Sequence, residues 1–158
     1  MHSRIFQIST QPIHICDYIE ESKYYDTWFT NSYADYVDGD TNRTEDIQWL
    51  KECYEGKGLT FGADDNGEYF IIEDKVKYFL SSFEEFQKTL KELSEVALDD
   101  FITHKAGLKV GQLNTAYQDT CGFYVDDLDY GLCSLDYFIR SNVNGTKYYI
   151  GATIDYHF

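Results

Sequence analysis

The sequence predicts an α+β fold. It would consist of a mainly antiparallel sheet of hairpins packed on one long amphipathic helix, at about 82–103, with two or three shorter helices. Two Asn-Gly pairs, Asn66-Gly67 and Asn144-Gly145, lie near or between β-branched and aromatic runs, a pattern typical of hairpins. Apolar residues recur at steps of three and four after residue 82, which favours the long helix. Strands and helices do not alternate strictly, as they would in an α/β protein.

The N-terminal part begins with a β-branched and aromatic run at 3–10, which predicts a first strand. Residues 13–24 fit a loop with one helical turn. Large residues from Tyr25 to Val37 fall on one helical face and predict a helix, which Asp38-Gly39-Asp40 would end. A second helix is expected to start at Thr44 as N-cap.

Glycines mark the end of that second helix and the turn that follows it. Gly56 or Gly58 would end the helix, and the runs 59–63 and 68–73 would form a hairpin around Asn66-Gly67.

The long helix has its own start signal, because Ser82 and Glu85 have the spacing of a capping box. Glu84 and Glu92 each lie four residues from Lys88 and would pair with it. Further along, 110–118 predicts a short helix, 122–125 a strand and 126–131 a loop. The aromatic runs 136–143 and 146–156 predict a second hairpin around Asn144-Gly145.

Acidic charge is unevenly distributed along the chain, whose formal net charge is −15. Residues 1–74 carry 16 acidic and 5 basic side chains, 75–118 carry 6 of each, and 119–158 carry 6 acidic and 2 basic. We expect one compact domain over 1–158, with a possible subdomain boundary near 75 and one strongly negative surface. Such a surface attracts cationic partners and repels nucleic acid and anionic membranes.

No motif for a cofactor or a metal is found, so none is expected. The histidines are scattered, and an EF-hand register starting at Asp38 breaks at Arg43 and Trp49. Phosphate-binding glycine motifs are absent. The sequence lacks an apolar run long enough to span a membrane and a signal-peptide core at its start, so we expect a cytoplasmic location, in the host cell if the protein is phage-encoded.

The candidate partner-binding surface comes from acids that cluster between residues 35 and 55, with aromatic residues close by in sequence. Carboxylates one helical turn apart lie roughly 5–6 Å from one another, so a row of them can imitate a phosphate backbone. The candidate residues are Asp35, Asp38, Asp40, Glu45, Asp46, Glu52, Glu55, Tyr25, Trp28, Tyr33 and Tyr36. A secondary acidic patch would comprise Asp126, Asp127, Asp129 and Asp136.

These features favour a non-enzymatic acidic inhibitor that binds a basic nucleic-acid-handling protein, a nuclease above all, by charge mimicry. Anti-restriction, anti-CRISPR and toxin-immunity proteins of phages and mobile elements are of this class. One alternative is a small thiol or acid/base hydrolase, in which Cys121 would be the nucleophile and His104 or His14 its base. The other is a structural or assembly protein of a phage or conjugative element that acts through self-association.

Overall fold

The computed structural model describes residues 1–119 and 122–158 and confirms an α+β fold with a mostly antiparallel sheet. The strands are β1 (His2–Ser9), β2 (Tyr36–Asp38), β3 (Leu59–Asp64), β4 (Gly67–Ile72), β5 (Tyr124–Asp127), β6 (Gly131–Ser134) and β7 (Lys147–His157). The helices are α1 (Trp28–Ser32), α2 (Arg43–Tyr54), α3 (Lys75–Ser94), α4 (Leu98–Ile102), α5 (Lys105–Tyr117) and α6 (Leu135–Ser141). Short 3-10 turns occupy Ile15–Asp17 and Glu21–Tyr24.

The sheet is organised around β7, the longest strand. The strand order of the sheet is β3-β4-β7-β1-β5-β6, and β2 pairs with the C-terminal end of β7. β7 is antiparallel to β1, β4 and β2, and the one parallel pair among the described strands joins β1 to β5. β4 pairs with β7 over 147–149 and β2 over 155–157, which leaves one side of β7 unpaired between them.

Both faces of the sheet are buried, because successive strand residues point to opposite sides. Phe6 belongs to a core completed by Leu50 of α2 and Phe138 of α6. Its neighbour Ile5 belongs to a second core on the other face, which includes Phe29 of α1. Helices α2 and α6 therefore cover one face, and the segment that contains α1 covers the other.

The hairpin at Asn66-Gly67 is confirmed, although its turn differs from the expected one. β3 and β4 pair so that Asp64 lies opposite Gly67. With Asp64 opposite Gly67, the central residues of the turn are Asp65 and Asn66, and neither has the positive φ of a primed turn. The positive φ, 120°, is found at Gly67, which follows them.

The hairpin expected at Asn144-Gly145 is wrong in its first arm, because 135–141 forms helix α6. Ser134 caps this helix by accepting a hydrogen bond from the backbone N–H of Tyr137. Leu135, Phe138 and Ile139 are buried at helical spacing. The aromatic and β-branched content suggested a strand, but the capping serine and this spacing determine the structure.

The helix expected at 25–37 is also mostly wrong. Only Trp28–Ser32 is α-helical, Asp26 has a φ of 57°, and Tyr36–Asp38 pairs with β7 as a strand. This segment is rich in Thr, Asn and Ser, which are weak helix formers, so pairing to the sheet and burial of Phe29 override the apolar periodicity.

The long helix starts earlier than its predicted N-cap, and it packs differently. Asp74 caps α3 by accepting from the N–H groups of Val76 and Lys77, so Ser82 and Glu85 lie inside the helix. The helix ends at Ser94, before α4. Its main packing partner is α5, and only Tyr78 and Phe79 near its start reach the sheet core.

We call residues 75–117 the helical arm and the remaining described residues the sheet body. Within the arm, Lys88 pairs with Glu85 and Lys109 with Glu92, in place of the two pairs expected for Lys88. The arm coincides with the segment whose charges balance.

Candidate partner-binding surface

The structure divides the predicted partner-binding residues among several places. Those of α2 lie on one face of the sheet and those of α1 on the other, with β2 at the edge between them. The acids and aromatic rings that are neighbours in sequence therefore do not form one continuous surface.

A compact group forms where β2 meets the 3-10 turn at Glu21–Tyr24. The Tyr25 hydroxyl donates to Glu21 Oε1 at 3.0 Å, and the other carboxylate oxygen of Glu21 accepts from the backbone N–H of Gly39. Asp38 Oδ1 accepts from the N–H of Asp40 at 2.8 Å. We call Glu21, Tyr25, Asp38 and Asp40 the β2-edge cluster.

The carboxylates of the cluster act on its tyrosine. The hydrogen bond to Glu21 raises the pKa of Tyr25 above its usual value, and the negative charges of Glu21 and Asp38 add to the rise. Tyr25 is 53% exposed. The carboxylates of Glu21 and Asp38 thus lie near an exposed phenol.

Gly39 allows this arrangement because it has no side chain. A methyl group at position 39 would overlap the Glu21 carboxylate, so the glycine lets that carboxylate approach the backbone. In the sequence, Gly39 was interpreted as the end of a helix, and Glu21 was not among the predicted binding residues. The signal available was the acidic pair Glu20-Glu21 a few residues before two tyrosines.

A cleft of about 550 Å³ lies next to the cluster, over the unpaired side of β7. Glu20, Glu21 and Tyr25 line one wall, and Ala152 and Thr153 of β7 line another. The cleft therefore combines carboxylates and an aromatic ring with a stretch of β7 that pairs with no strand on this side.

Two side chains satisfy the open backbone of β7 at this cleft. Arg43 donates to the carbonyls of Ile150 and Gly151, both at 2.7 Å, and to Glu68 at 2.8 Å. Thr41 donates to the carbonyl of Thr153 at 3.0 Å. The positive charge of Arg43 is thus already occupied inside the chain.

The acids of α2 are separate from the cluster. Glu45 and Glu52 are exposed and line a groove of about 630 Å³ between α2 and the β3–β4 hairpin, with Trp49 among its walls. Glu55 accepts from the backbone N–H of Phe61.

Asp46, also on α2, is buried rather than exposed. It accepts from Arg4 Nε at 2.6 Å and from the Thr153 hydroxyl at 2.8 Å, and Arg4 also pairs with Asp155. Its role in the structure is to hold α2 on the sheet. The sequence could not reveal this, because Arg4 and Asp46 are far apart along the chain.

The remaining predicted residues make contacts within the chain. Asp35 accepts a hydrogen bond from His157 at 2.6 Å, which lowers the pKa of the carboxyl, and the Tyr36 ring stacks on the same imidazole at 5.4 Å. Trp28 and Tyr33 meet edge to face at 5.5 Å between ring centroids.

The secondary acidic patch does not form one open surface. Asp126 is buried and accepts from the Tyr24 hydroxyl at 2.7 Å and from Lys23 at 2.8 Å; burial and this carboxylate raise the pKa of Tyr24. Asp127 is also buried and accepts from two backbone N–H groups of the β5–β6 turn, those of Asp129 and Tyr130.

The other two members of that patch differ in exposure. Asp129 is exposed on the turn, whereas Asp136 is half-buried and accepts from the Tyr78 hydroxyl at 2.9 Å. Burial raises the pKa of Asp136. Asp126 and Asp136 fail to match the prediction because they bind hydroxyl donors that are distant in sequence, Tyr24 and Tyr78, whereas Asp127 is turned toward the backbone of its own turn.

The described residues show no arrangement of nucleophile and base that supports the hydrolase alternative. Cys121, its proposed nucleophile, lies outside the described residues, and both His14 and His104 are exposed. The half-buried Cys133 has its pKa raised to about 11 by burial and the charges of Asp127 and Asp126, which suppresses the reactive thiolate.

Among residues 1–119 and 122–158, no three or more His, Cys, Asp or Glu side chains are grouped so as to hold a metal ion. No described helix has both the length and the apolar character needed to cross a membrane. No family model, curated protein or solved structure matches the chain.

Proposed function

We propose that this chain is a non-enzymatic acidic inhibitor that binds a basic nucleic-acid-handling protein, a nuclease above all, through the β2-edge cluster and the adjoining cleft. The observation that carries the proposal is that the cluster's carboxylates are not neutralised by a described cation. Within the described part of the chain, Glu21, Asp38 and Asp40 form no ion pair. Their charges are available to a cationic partner.

Four cations of the sheet body already have other carboxylate partners. Arg4 binds Asp46 and Asp155, and Lys23 binds Asp126. Arg43 and Lys147 bind Glu68 and Asp64. Since residues 1–74 hold 16 acids against 5 bases, a surplus of carboxylates faces solvent.

A nuclease groove is a suitable partner for such a surface. The groove uses Lys and Arg to bind phosphates and gains free energy when counterions are released from the nucleic acid. Surface carboxylates carry the same negative charge as the phosphates, so they compete for the same Lys and Arg side chains of the nuclease.

Different parts of the acidic surface would contribute differently to binding. Tyr25 can provide contact area of the kind that dominates interface energetics, since tyrosine is enriched at hot spots. The more distant carboxylates Glu45, Glu52 and Glu55 would act through the long-range field and mainly increase the association rate. Binding should weaken as salt is added.

Charge reversal tests the proposal. The variant Asp38→Lys/Asp40→Lys alters the cluster, and Asp65→Lys/Glu95→Lys is its control, with the same change in net charge at two exposed acids elsewhere. The measurement is inhibition of DNA cleavage by a panel of restriction and RNA-guided nucleases at low and high salt, with circular dichroism to check folding.

We expect the unmodified protein to inhibit at least one nuclease, the control to retain most of that inhibition and the cluster variant to lose about tenfold or more, as two lost charge contacts predict. The proposal is contradicted if no nuclease is inhibited, or if the folded cluster variant and its control inhibit equally.

A further inference from the structure

The first four turns of α3 carry an apolar stripe that has no partner in the described chain. Val76, Leu80, Phe83 and Leu90 are 77%, 50%, 56% and 46% exposed. Large apolar side chains grouped on an exposed helix face mark an interaction surface.

The spacing of this stripe is that of a coiled-coil seam. Its members are separated by four, three and seven residues, with Gln87 in the intervening position, so they follow a heptad repeat. The seam lies on a different side of α3 from the contact with α5, where Thr89 is 1% exposed and Glu92 pairs with Lys109.

We infer that this seam pairs with the same seam of a second copy of the chain, in antiparallel orientation, about a two-fold axis between Leu80 and Phe83. Charge favours a second copy of the arm as the occupant. The arm carries 6 acids and 6 bases over 75–118, whereas the rest of the chain carries the whole net charge of −15. Two copies can therefore approach through their arms with the least repulsion, and the antiparallel orientation keeps their acidic sheet bodies apart.

The charges beside the seam select the register. Lys77 and Glu84 occupy the same flanking heptad position, and neither makes an ion pair within the described residues. With the axis between Leu80 and Phe83, Lys77 of each copy faces Glu84 of the other. If the register moves by one heptad in one direction, Lys77 faces Lys91 of the other copy and Glu84 faces the other Glu84. If it moves in the other direction, the two Lys77 side chains face each other. Both shifts therefore bring like charges together.

The resulting dimer would be weak and dependent on concentration. The stripe covers only about two heptads, and its interface is small compared with the roughly 1,200–2,000 Å² that stable complexes bury. Gln87 would lie opposite Val76 at each end of the seam and limit the apolar contact further.

Sedimentation equilibrium from low micromolar to near-millimolar protein, at low salt, tests the inference. We expect a monomer–dimer equilibrium in the unmodified chain. Phe83→Glu should abolish the dimer, while Leu108→Glu, at a 74% exposed position on α5, should preserve it.

Charge swaps test the register independently of folding. Lys77→Glu and Glu84→Lys each replace two attractive contacts by repulsive ones and should each raise the dissociation constant about tenfold. The double variant should restore it, because the opposite charges then face each other again. The two positions are about 10 Å apart within one helix, so restoration reports contact between copies.

A chain that is monomeric at every concentration overturns the inference, including the case in which the stripe binds a different protein. A dimer that is unaffected by Phe83→Glu, or one in which the double swap is as weak as the single swaps, also overturns it. Far-UV circular dichroism of each variant keeps these outcomes distinct from unfolding.

Discussion

The sheet body and the helical arm differ in net charge and in the surface that they expose. In the body, two apolar cores are buried, several aromatic side chains such as Tyr25 and Trp28 stay exposed, and carboxylates outnumber cations. In the arm, acidic and basic side chains are equal in number, and α3 exposes a stripe of large apolar side chains. The comparison teaches that the net negative charge of this small chain and the exposed apolar stripe of α3 lie in separate parts of its fold.

The largest expected difference between the two regions concerns a phenylalanine in each. Phe138→Ala in the body should cost about 3–5 kcal/mol of unfolding free energy, because it leaves a cavity in the buried core. Phe83→Ala in the arm should cost less than about 1 kcal/mol, since the side chain is already more than half exposed. Urea unfolding at low protein concentration measures both. Equal losses would contradict the description of the arm.

A second contrast separates two adjacent acids of α2. Asp46→Ala should cost about 3 kcal/mol, because it leaves the Arg4 guanidinium with one carboxylate fewer and the buried Thr153 hydroxyl with one acceptor fewer. Glu45→Ala, at an exposed position, should change stability by no more than about 0.5 kcal/mol. A small effect at Asp46 in the same unfolding measurement would show that this ion pair does not hold α2.

Short-range patterns predicted most of the elements, and the wrong predictions among them have physical causes. The hairpin at Asn66-Gly67 and the first strand follow from short-range patterns, so both could be predicted. Helix α6 was predicted as a strand because its aromatic content suits either element, although Ser134 as N-cap and the helical spacing of its apolar residues are local signals for a helix. The apolar periodicity of α3 correctly indicated a helix, but nothing local shows that one stripe faces α5 while another faces solvent.

The candidate site was predicted only in part for a similar reason. Asp38, Asp40 and Tyr25 were identified by sequence proximity, and the fold does bring them together. Glu21 is contributed by a segment with no regular pattern. Asp46 and Asp126 were expected at the surface, but each binds a cation far away in sequence, Arg4 and Lys23.

A third prediction concerns the electrostatics of the β2-edge cluster. Glu21→Gln should lower the pKa of Tyr25, because the hydrogen bond to the Glu21 carboxylate is the main cause of its elevation. NMR titration of the tyrosine ring carbons measures the change. Asp65→Asn, which removes the same charge elsewhere, should leave the titration of Tyr25 unchanged. An unaltered Tyr25 in Glu21→Gln would show that the cluster does not form.

The smallest expected effect compares an ion pair in each region. Arg43 lowers the pKa of Glu68 in the body, and Lys109 lowers the pKa of Glu92 in the arm. Since both folded-state values lie below the usual 4.5, each carboxylate contributes stability that is present above pH 4.5 and lost as pH falls through the lowered folded value.

Salt distinguishes the two pairs. Adding salt should raise the pKa of Glu92 more than that of Glu68, because Arg43 is also held by two backbone carbonyls of β7. NMR titrations at low and high salt measure both carboxylates, with Glu68→Gln and Glu92→Gln to assign the signals. A larger salt effect at Glu68 would contradict this view of the cleft.

Amide hydrogen exchange, measured on the chain in complex with a basic nuclease that it inhibits, tests the central claim most directly. We predict slower exchange over 18–25 and 36–43, where the β2-edge cluster and the cleft lie, with α3 to α5 unchanged at concentrations where the chain is monomeric. Protection confined to the helical arm, or no protection at the β2 edge in an inhibited complex, would contradict the assignment of this surface.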